Sequence, residues 1–522
     1  MKVNQNGIYS SVPSKKFVNK KIKMDFSILF QNNLKMFLPE IFLATSILIL
    51  TLHCSFIISS RHLGFPLIVR SISKLSILIL LLTVFLSNNN SINFMLTYQN
   101  TFVFDLLTFY VKEIILISVL LCVFIFENSI IRNQINNFEY FILLLSATLG
   151  LLLLVSSYDF LSLYLAIEMQ SLCLYVLAGA KRNSSFSTDA GIKYFILGSF
   201  SSALLLFGIS FIYGCTGTTN FDSLSLLLAQ PDSTNTIFSL NSLIEKALLC
   251  IATAFLFKIA AAPFHMWSPD VYEGSPTSST IFFAVVPKIA LFAIFLRTFQ
   301  SIFFIFEDVI VFALILFSMT SVIVGSFVAL KQKKLKRLLA YSSISHVGYL
   351  LLAFASNSLE ATVSLFFYLV IYMLTSISIW SIVLSLNTIE NQKSPKTLID
   401  LSAIAVTNPI LGFSAMVAFF SLAGVPPLAG FLAKMEIFTA ALGASLFFPS
   451  FVAILSSVIS SYYYIRIVKT IYFEKNQRCF FIFPVSYSCA LTTGISTFFL
   501  IFLFINPTLV LLITQKMALC LF

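Results

Sequence analysis

The sequence predicts an all-α polytopic membrane protein of about fourteen transmembrane helices. Composition is the first ground. Of 522 residues, 58% are hydrophobic and 10% charged, with a mean hydropathy of +0.97. Soluble domains carry about 25% charged residues, so a soluble enzyme is excluded. Second, runs of 18 or more largely apolar residues recur along the chain, enough to cross a hydrocarbon core. Third, Lys258 and Lys288 lie inside consecutive apolar runs. Each costs about 2.5–3.5 kcal/mol at the bilayer centre unless protein or water receives it, which makes such groups functional candidates.

Residues 1–35 form a basic N-terminal extension (Lys2, Lys15, Lys16, Lys20, Lys21, Lys23 and Lys35) without the apolar core of a secretory signal. Two origins stay open: a targeting extension, or translation upstream of a start at Met24. Residues 36–522 read as a single transmembrane domain, because no soluble insert is long enough to fold alone. Spans are expected at 36–58, 71–87, 105–126, 138–157, 159–178, 190–213, 243–264, 279–298, 307–330, 338–356, 360–386, 403–443, 447–473 and 484–514. Basic residues follow the odd-numbered spans: Arg61, Arg70 and Lys74; Arg132; Lys181 and Arg182; the run KQKKLKR at 331–337; Lys393 and Lys396; Lys475 and Arg478. The positive-inside rule places that side at the matrix or cytoplasm and both termini opposite, with the extension as the one exception. The net charge of +11 therefore reflects topology and not nucleic-acid binding.

Two spans are interrupted. Pro263 follows Lys258 in the seventh, and Gly424, Pro426, Pro427 and Gly430 break the twelfth just before Lys434. Proline donates no hydrogen bond to the helix ladder, so each break frees carbonyls that need other partners. Interrupted helices in both halves point to an internal repeat with sites at the breaks.

Other polar groups lie along apolar runs. Glu168 is midway along span five, where it would pair with a buried lysine or bridge helices. His346 opens span ten among Tyr341, Ser342, Ser343 and Ser345, with a pKa suited to a proton relay. His265 anchors the loop after span seven or joins the relay, while Asp189 and Lys193 are spaced to pair on one helix face. Lys112, Glu113, Arg466 and Lys469 read as end-anchors, and 331–337 as a solvated topology determinant. Buried lysine titrates and arginine does not, so lysines at mid-membrane favour proton handling over fixed anion binding. The eight scattered cysteines form no CxxC pair, and neither a metal site nor a cofactor-binding motif is legible.

The segments FKIAAAPFHMWSPDVYEGSPT (257–277), YLAIEMQSLCLYVLAG (164–179), DAGIKYFILGSFSSALLLFG (189–208), KRLLAYSSISHVGYLL (336–351) and AGVPPLAGFLAKMEIF (423–438) together resemble the NADH dehydrogenase subunit 2 family. These are antiporter-like membrane subunits of respiratory complex I, and the wording is closest to mitochondrial members. The resemblance covers Met24 to the C-terminus. It implies a fourteen-helix fold with two inverted five-helix repeats and broken helices seven and twelve. It also implies a proton-translocating role coupled to electron transfer from NADH to ubiquinone in the inner mitochondrial membrane. No redox centre is expected in this chain: NADH, FMN, iron–sulfur clusters and ubiquinone belong to other subunits of the complex. Partners would be other membrane-arm subunits, including neighbouring antiporter-like ones, and membrane lipids.

Carried over by residue, the family's carboxylate on helix five falls on Glu168. Its lysines fall on Lys258, Lys288 and Lys434, and its polar group on helix ten falls on His346. Asp189 stands where the family often has Glu. The expected sequence of events separates Glu168 from Lys258 and passes a proton through Lys288 and His346 towards Lys434. Two competitors share the sequence pattern: a stand-alone cation/proton antiporter, and a purely structural membrane subunit.

Overall fold

With no water to bond inside a bilayer, an apolar chain must pair its backbone groups internally, and helices do so within one segment. The computed structural model describes residues 33–58, 66–89, 94–132, 138–181, 183–229, 237–386, 396–402, 404–474 and 485–521. Most of the basic extension 1–35 and the loop residues Arg61, Arg182, Lys393, Lys475 and Arg478 lie outside the described residues.

The helices are α1 (Leu38–Ile58), α2 (Pro66–Asn88), α3 (Leu106–Arg132), α4 (Glu139–Ser156), α5 (Phe160–Ala178), α6 (Ser185–Thr216), the short α7 (Phe221–Leu228) and α8 (Ile237–Ile259). They continue as the short α9 (Trp267–Gly274), α10 (Thr277–Leu296), α11 (Glu307–Leu330), α12 (Leu335–Ala355), α13 (Leu359–Ser385) and the single turn α14 (Ile404–Thr407). The chain ends with α15 (Pro409–Ala423), α16 (Ala429–Gly443), α17 (Phe447–Tyr472), α18 (Tyr487–Ile505) and α19 (Thr508–Ala518). An antiparallel hairpin of β1 (Met95–Thr97) and β2 (Phe102–Phe104), in register Met95 to Phe104, joins α2 to α3. Among the described residues, 12 helices are long and apolar enough to cross a membrane.

The helices form a core and a shell. Every residue of α10 is buried, and α12 and α13 are nearly so. The shell helices present apolar side chains outward, such as Leu161, Leu165 and Leu172 on α5 and Phe451, Val458 and Tyr462 on α17. That outward stripe is what a lipid-facing helix requires.

Loop contacts agree with alternating sides. Phe102 pairs with Ser157 and Asp159 with Asn220, joining the connections after the second, fourth and sixth predicted spans. Lys334 pairs with Thr397, joining those after the ninth and eleventh.

Two predicted spans have different limits. The fourteenth divides into α18 and α19, because Pro507 excludes the helical conformation at Asn506. The twelfth starts at Pro409, not 403, because the Asn408 side chain accepts from the Leu411 N–H at 3.2 Å and caps a new helix.

Lys112 is not an end-anchor. It is buried, donates to Glu40 Oε1 on α1 at 2.5 Å and lies 4.4 Å from the Phe104 ring centre. Glu113 turns the other way and accepts from the Ser87 hydroxyl of α2. Arg466 and Lys469 stay exposed near the end of α17. Arg297, at the end of α10, forms a second buried pair with Asp105 at 2.6 Å and also donates to the Val155 carbonyl at 3.0 Å.

Removing one member of a buried ion pair leaves the other charged and uncompensated. Lys112→Ala is therefore expected to cost about 3–5 kcal/mol, read as a lower melting temperature of the solubilised assembly. The double change Lys112→Met with Glu40→Gln should recover most of it.

Candidate functional site

The two helix breaks are built alike. At the end of α8, Ala260 adopts a left-handed φ of 65°, its N–H bonds the Phe257 carbonyl, and the Ala261 N–H bonds Leu256. At the end of α15, Gly424 has φ 82°, its N–H bonds Ser421, and the Val425 N–H bonds Phe420. A proline follows three residues after each left-handed residue, Pro263 and Pro427. Glycine takes this turn without strain. Alanine in the first break carries it at some cost, held by its surroundings.

Each break gives its freed carbonyls to a side chain. In the first, Trp267 Nε1 donates to the Phe257 carbonyl at 2.9 Å and the Thr320 hydroxyl to Ala262 at 3.0 Å. In the second, the donor is Lys434, whose Nζ lies 2.8 Å from the Leu422 carbonyl and 2.9 Å from that of Ala423. The lysine singled out from sequence thus caps the broken helix it follows.

Lys258, Lys288 and His346 line the interior. Lys258, in the last turn of α8, donates to the Tyr175 hydroxyl at 3.2 Å. It shares with Lys288 a cavity of about 20 Å³, lined also by Gln170, Ser171, Tyr194 and Trp267. That space holds about one water. Lys288 follows Pro287 on α10 and donates to the Tyr372 hydroxyl at 3.3 Å. Tyr372 and His346 have ring centres 5.5 Å apart, and both line a second cavity of about 10 Å³ beside Ser421 and Gly430. His346 on α12 bridges Tyr368 (Nδ1, 2.5 Å) and Tyr464 (Nε2, 3.1 Å). Tyr349, one turn further along α12, has its ring centre 5.6 Å from Lys434 Nζ. Sequence reading missed these tyrosines, because a tyrosine in an apolar run looks like any other large core residue.

Glu168 makes no direct hydrogen bond to Lys258, although its charge reaches that lysine through space; it lies on the α5 stripe of Leu161, Leu165 and Leu172, with Oε1 enclosed and unpartnered among the described residues. Helical spacing sets this, since residues seven apart share a face. Two expectations are corrected. Asp189 and Lys193 do not pair. Lys193 reaches Asp270 Oδ2 on α9 at 2.8 Å, while Asp189 is exposed. The run 331–337 is not simply solvated: Lys334, Lys336 and Arg337 all engage α9 or the residue after it. His265 is buried with its ring edge-on to Tyr341 and does not touch the other predicted groups. Among the described residues, no group of His, Cys, Asp or Glu is placed to hold a metal ion.

Residues 157–460, which contain both breaks and every candidate residue predicted from sequence for the relay, match the family described as NADH:quinone oxidoreductase/Mrp antiporter, TM. The chain belongs to this family. As a member of the NADH:quinone oxidoreductase/Mrp antiporter family, it is 41% identical to the NADH-ubiquinone oxidoreductase chain 2 of Marchantia polymorpha over 501 residues, 94% of this chain and 100% of that one. It is 39% identical to the NADH-quinone oxidoreductase subunit N of Paramagnetospirillum magneticum, covering 82% and 87% of the two chains. Among solved structures, the fold is similar to a chain of respiratory complex I from Thermus thermophilus, with TM-score 0.74, 29% identity and coverage of 91% and 98%. A chain of the Mrp complex from a Dietzia species shares the fold at TM-score 0.77 and 19% identity, covering 94% and 97%.

The two half-helices at the second break meet closely. A Cβ on Gly430 would lie 1.9 Å from the Ser421 carbonyl oxygen, whereas one on Gly443 would meet nothing within 4 Å. Gly430→Ala should therefore destabilise the protein by about 1–3 kcal/mol through forced separation of α15 and α16. Gly443→Ala should leave the melting temperature near wild type.

Proposed function

We propose that this chain is a core membrane-arm subunit of NADH:ubiquinone oxidoreductase in the inner mitochondrial membrane. In this reading it moves protons along Lys258, Lys288, His346 and Lys434. The observation that carries the reading is the continuity of polar groups through an otherwise apolar core. Lys258 and Lys288 share a water-sized cavity, Lys288 bonds Tyr372, and Tyr372 and His346 share the next cavity, towards the break that Lys434 caps. A proton relay needs groups within reach of one another or of a bridging water, and this spacing supplies them.

Glu168 acts on this line from outside it. Its place on the outward stripe of α5 supports a role in receiving charge from a neighbouring subunit, with Asp189, Lys193 and His265 on the uptake side. The electron-transfer chemistry, and with it NADH, FMN, iron–sulfur clusters and ubiquinone, belongs to other subunits. Protons leave into the intermembrane space, where both termini lie.

The fold we propose has fourteen spans in one antiporter-like domain, residues 36–522, preceded by the extension 1–35. The count adds α8 and the α15–α16 pair to the 12 long apolar helices. Two inverted five-helix repeats, 139–296 and 307–472, each contain one break, and the matching left-handed turns support that symmetry.

Lys288→Met keeps bulk and removes the charge. In an assembled complex it should lower both NADH:ubiquinone turnover and proton translocation several-fold. Unchanged values for both would remove Lys288 from the relay.

A further inference from the structure

The short helix α9 lies between the break after Lys258 and the helix that carries Lys288, and it is held by charge. Asp270 accepts from Lys193 of α6 at 2.8 Å and from Arg337 of α12 at 2.6 Å. Glu273, one turn later, lies 2.7 Å from Arg337 Nε and accepts from Lys334. Just beyond α9, the Ser275 carbonyl accepts from Lys336 at 2.7 Å. Burial disfavours ionisation of Asp270, but the hydrogen bonds and charges of Lys193 and Arg337 outweigh it and hold the carboxyl below its usual range.

The arrangement spans the two halves of the molecule. Arg337 sits nine residues before His346 on α12, about 13 Å along the axis. Ala260, Trp267 and Tyr272, which line the cavity between Lys258 and Lys288, belong to the break and to α9 itself. Apolar contacts alone permit a short helix to slide, whereas a guanidinium that hydrogen-bonds one carboxylate and ion-pairs with a second fixes its register.

We infer that Asp270, Glu273 and Arg337 are positioning residues that hold α9 in place and so keep the Lys258–Lys288 cavity small enough for one ordered water. The inference rests on the proton-relay reading and adds its geometric control. None of the three touches Lys258, Lys288, His346 or Lys434; Asp270 alone meets an uptake-side group, Lys193. Loosening the clamp lets α9 move, the cavity widens, and turnover continues with fewer protons moved for each NADH oxidised.

The test uses the assembled complex in sealed membranes, with turnover and proton translocation measured together. Asp270→Asn with Glu273→Gln, and separately Arg337→Gln, should lower the proton-to-electron ratio at least twofold while turnover falls less. Arg337→Lys should restore part of the ratio. A wild-type ratio in assembled Arg337→Gln overturns the inference. If the neutral variants do not assemble, Arg337→Lys decides: a lowered ratio supports the clamp and a wild-type ratio overturns it. Lys288→Met in the same membranes separates the two readings. If it lowers pumping while the clamp variants keep the wild-type ratio, the clamp alone fails. If it too is without effect, the relay itself fails.

Discussion

The structure depends on how a buried ammonium is satisfied. Lysine at membrane depth must find partners, and here two kinds are used. Lys112 takes a carboxylate, Glu40, and becomes a fixed rivet between α1 and α3. Lys258, Lys288 and Lys434 take neutral oxygens: two tyrosine hydroxyls and a pair of main-chain carbonyls. An opposite charge favours a charged lysine, whereas neutral oxygens hold it less strongly. The same side chain is thus locked in an ion pair or left on neutral oxygens according to its neighbour.

The breaks follow from the same need. A helix that stops inside the membrane exposes carbonyls with no water to receive. In α15 those carbonyls become the binding site for Lys434, so the irregular backbone and the charge satisfy each other. In α8 the task falls to Trp267 and Thr320, which leaves Lys258 directed at Tyr175 and the cavity. Two matching turns therefore give unlike environments to their lysines.

Much of this was legible in the chain. Hydropathy located the helices, Pro263 and Pro427 marked the breaks, and the lysines stood out because apolar runs rarely contain them. What was not legible depended on pairing between distant segments. Lys193 has Asp189 four residues away and still chooses Asp270, 77 residues on. Arg297 finds Asp105 across 192 residues, beyond any local pattern. The tyrosines that meet the lysines and His346 carry no sequence signal, since their hydroxyls matter only where they happen to converge. The face of Glu168 on α5 was knowable from spacing, but not which faces the other helices would cover.

Because α10 has no side open to the surroundings, Lys288 is insulated from the bilayer by a full layer of protein. Changes in lipid thickness or tension act first on shell helices such as α5 and α17, by tilting or by local adjustment of the lipid. They reach the central lysine only after that movement has been passed through packed side chains. The membrane sets the length of the outer helices, and the protein alone sets the environment in which the central charge sits.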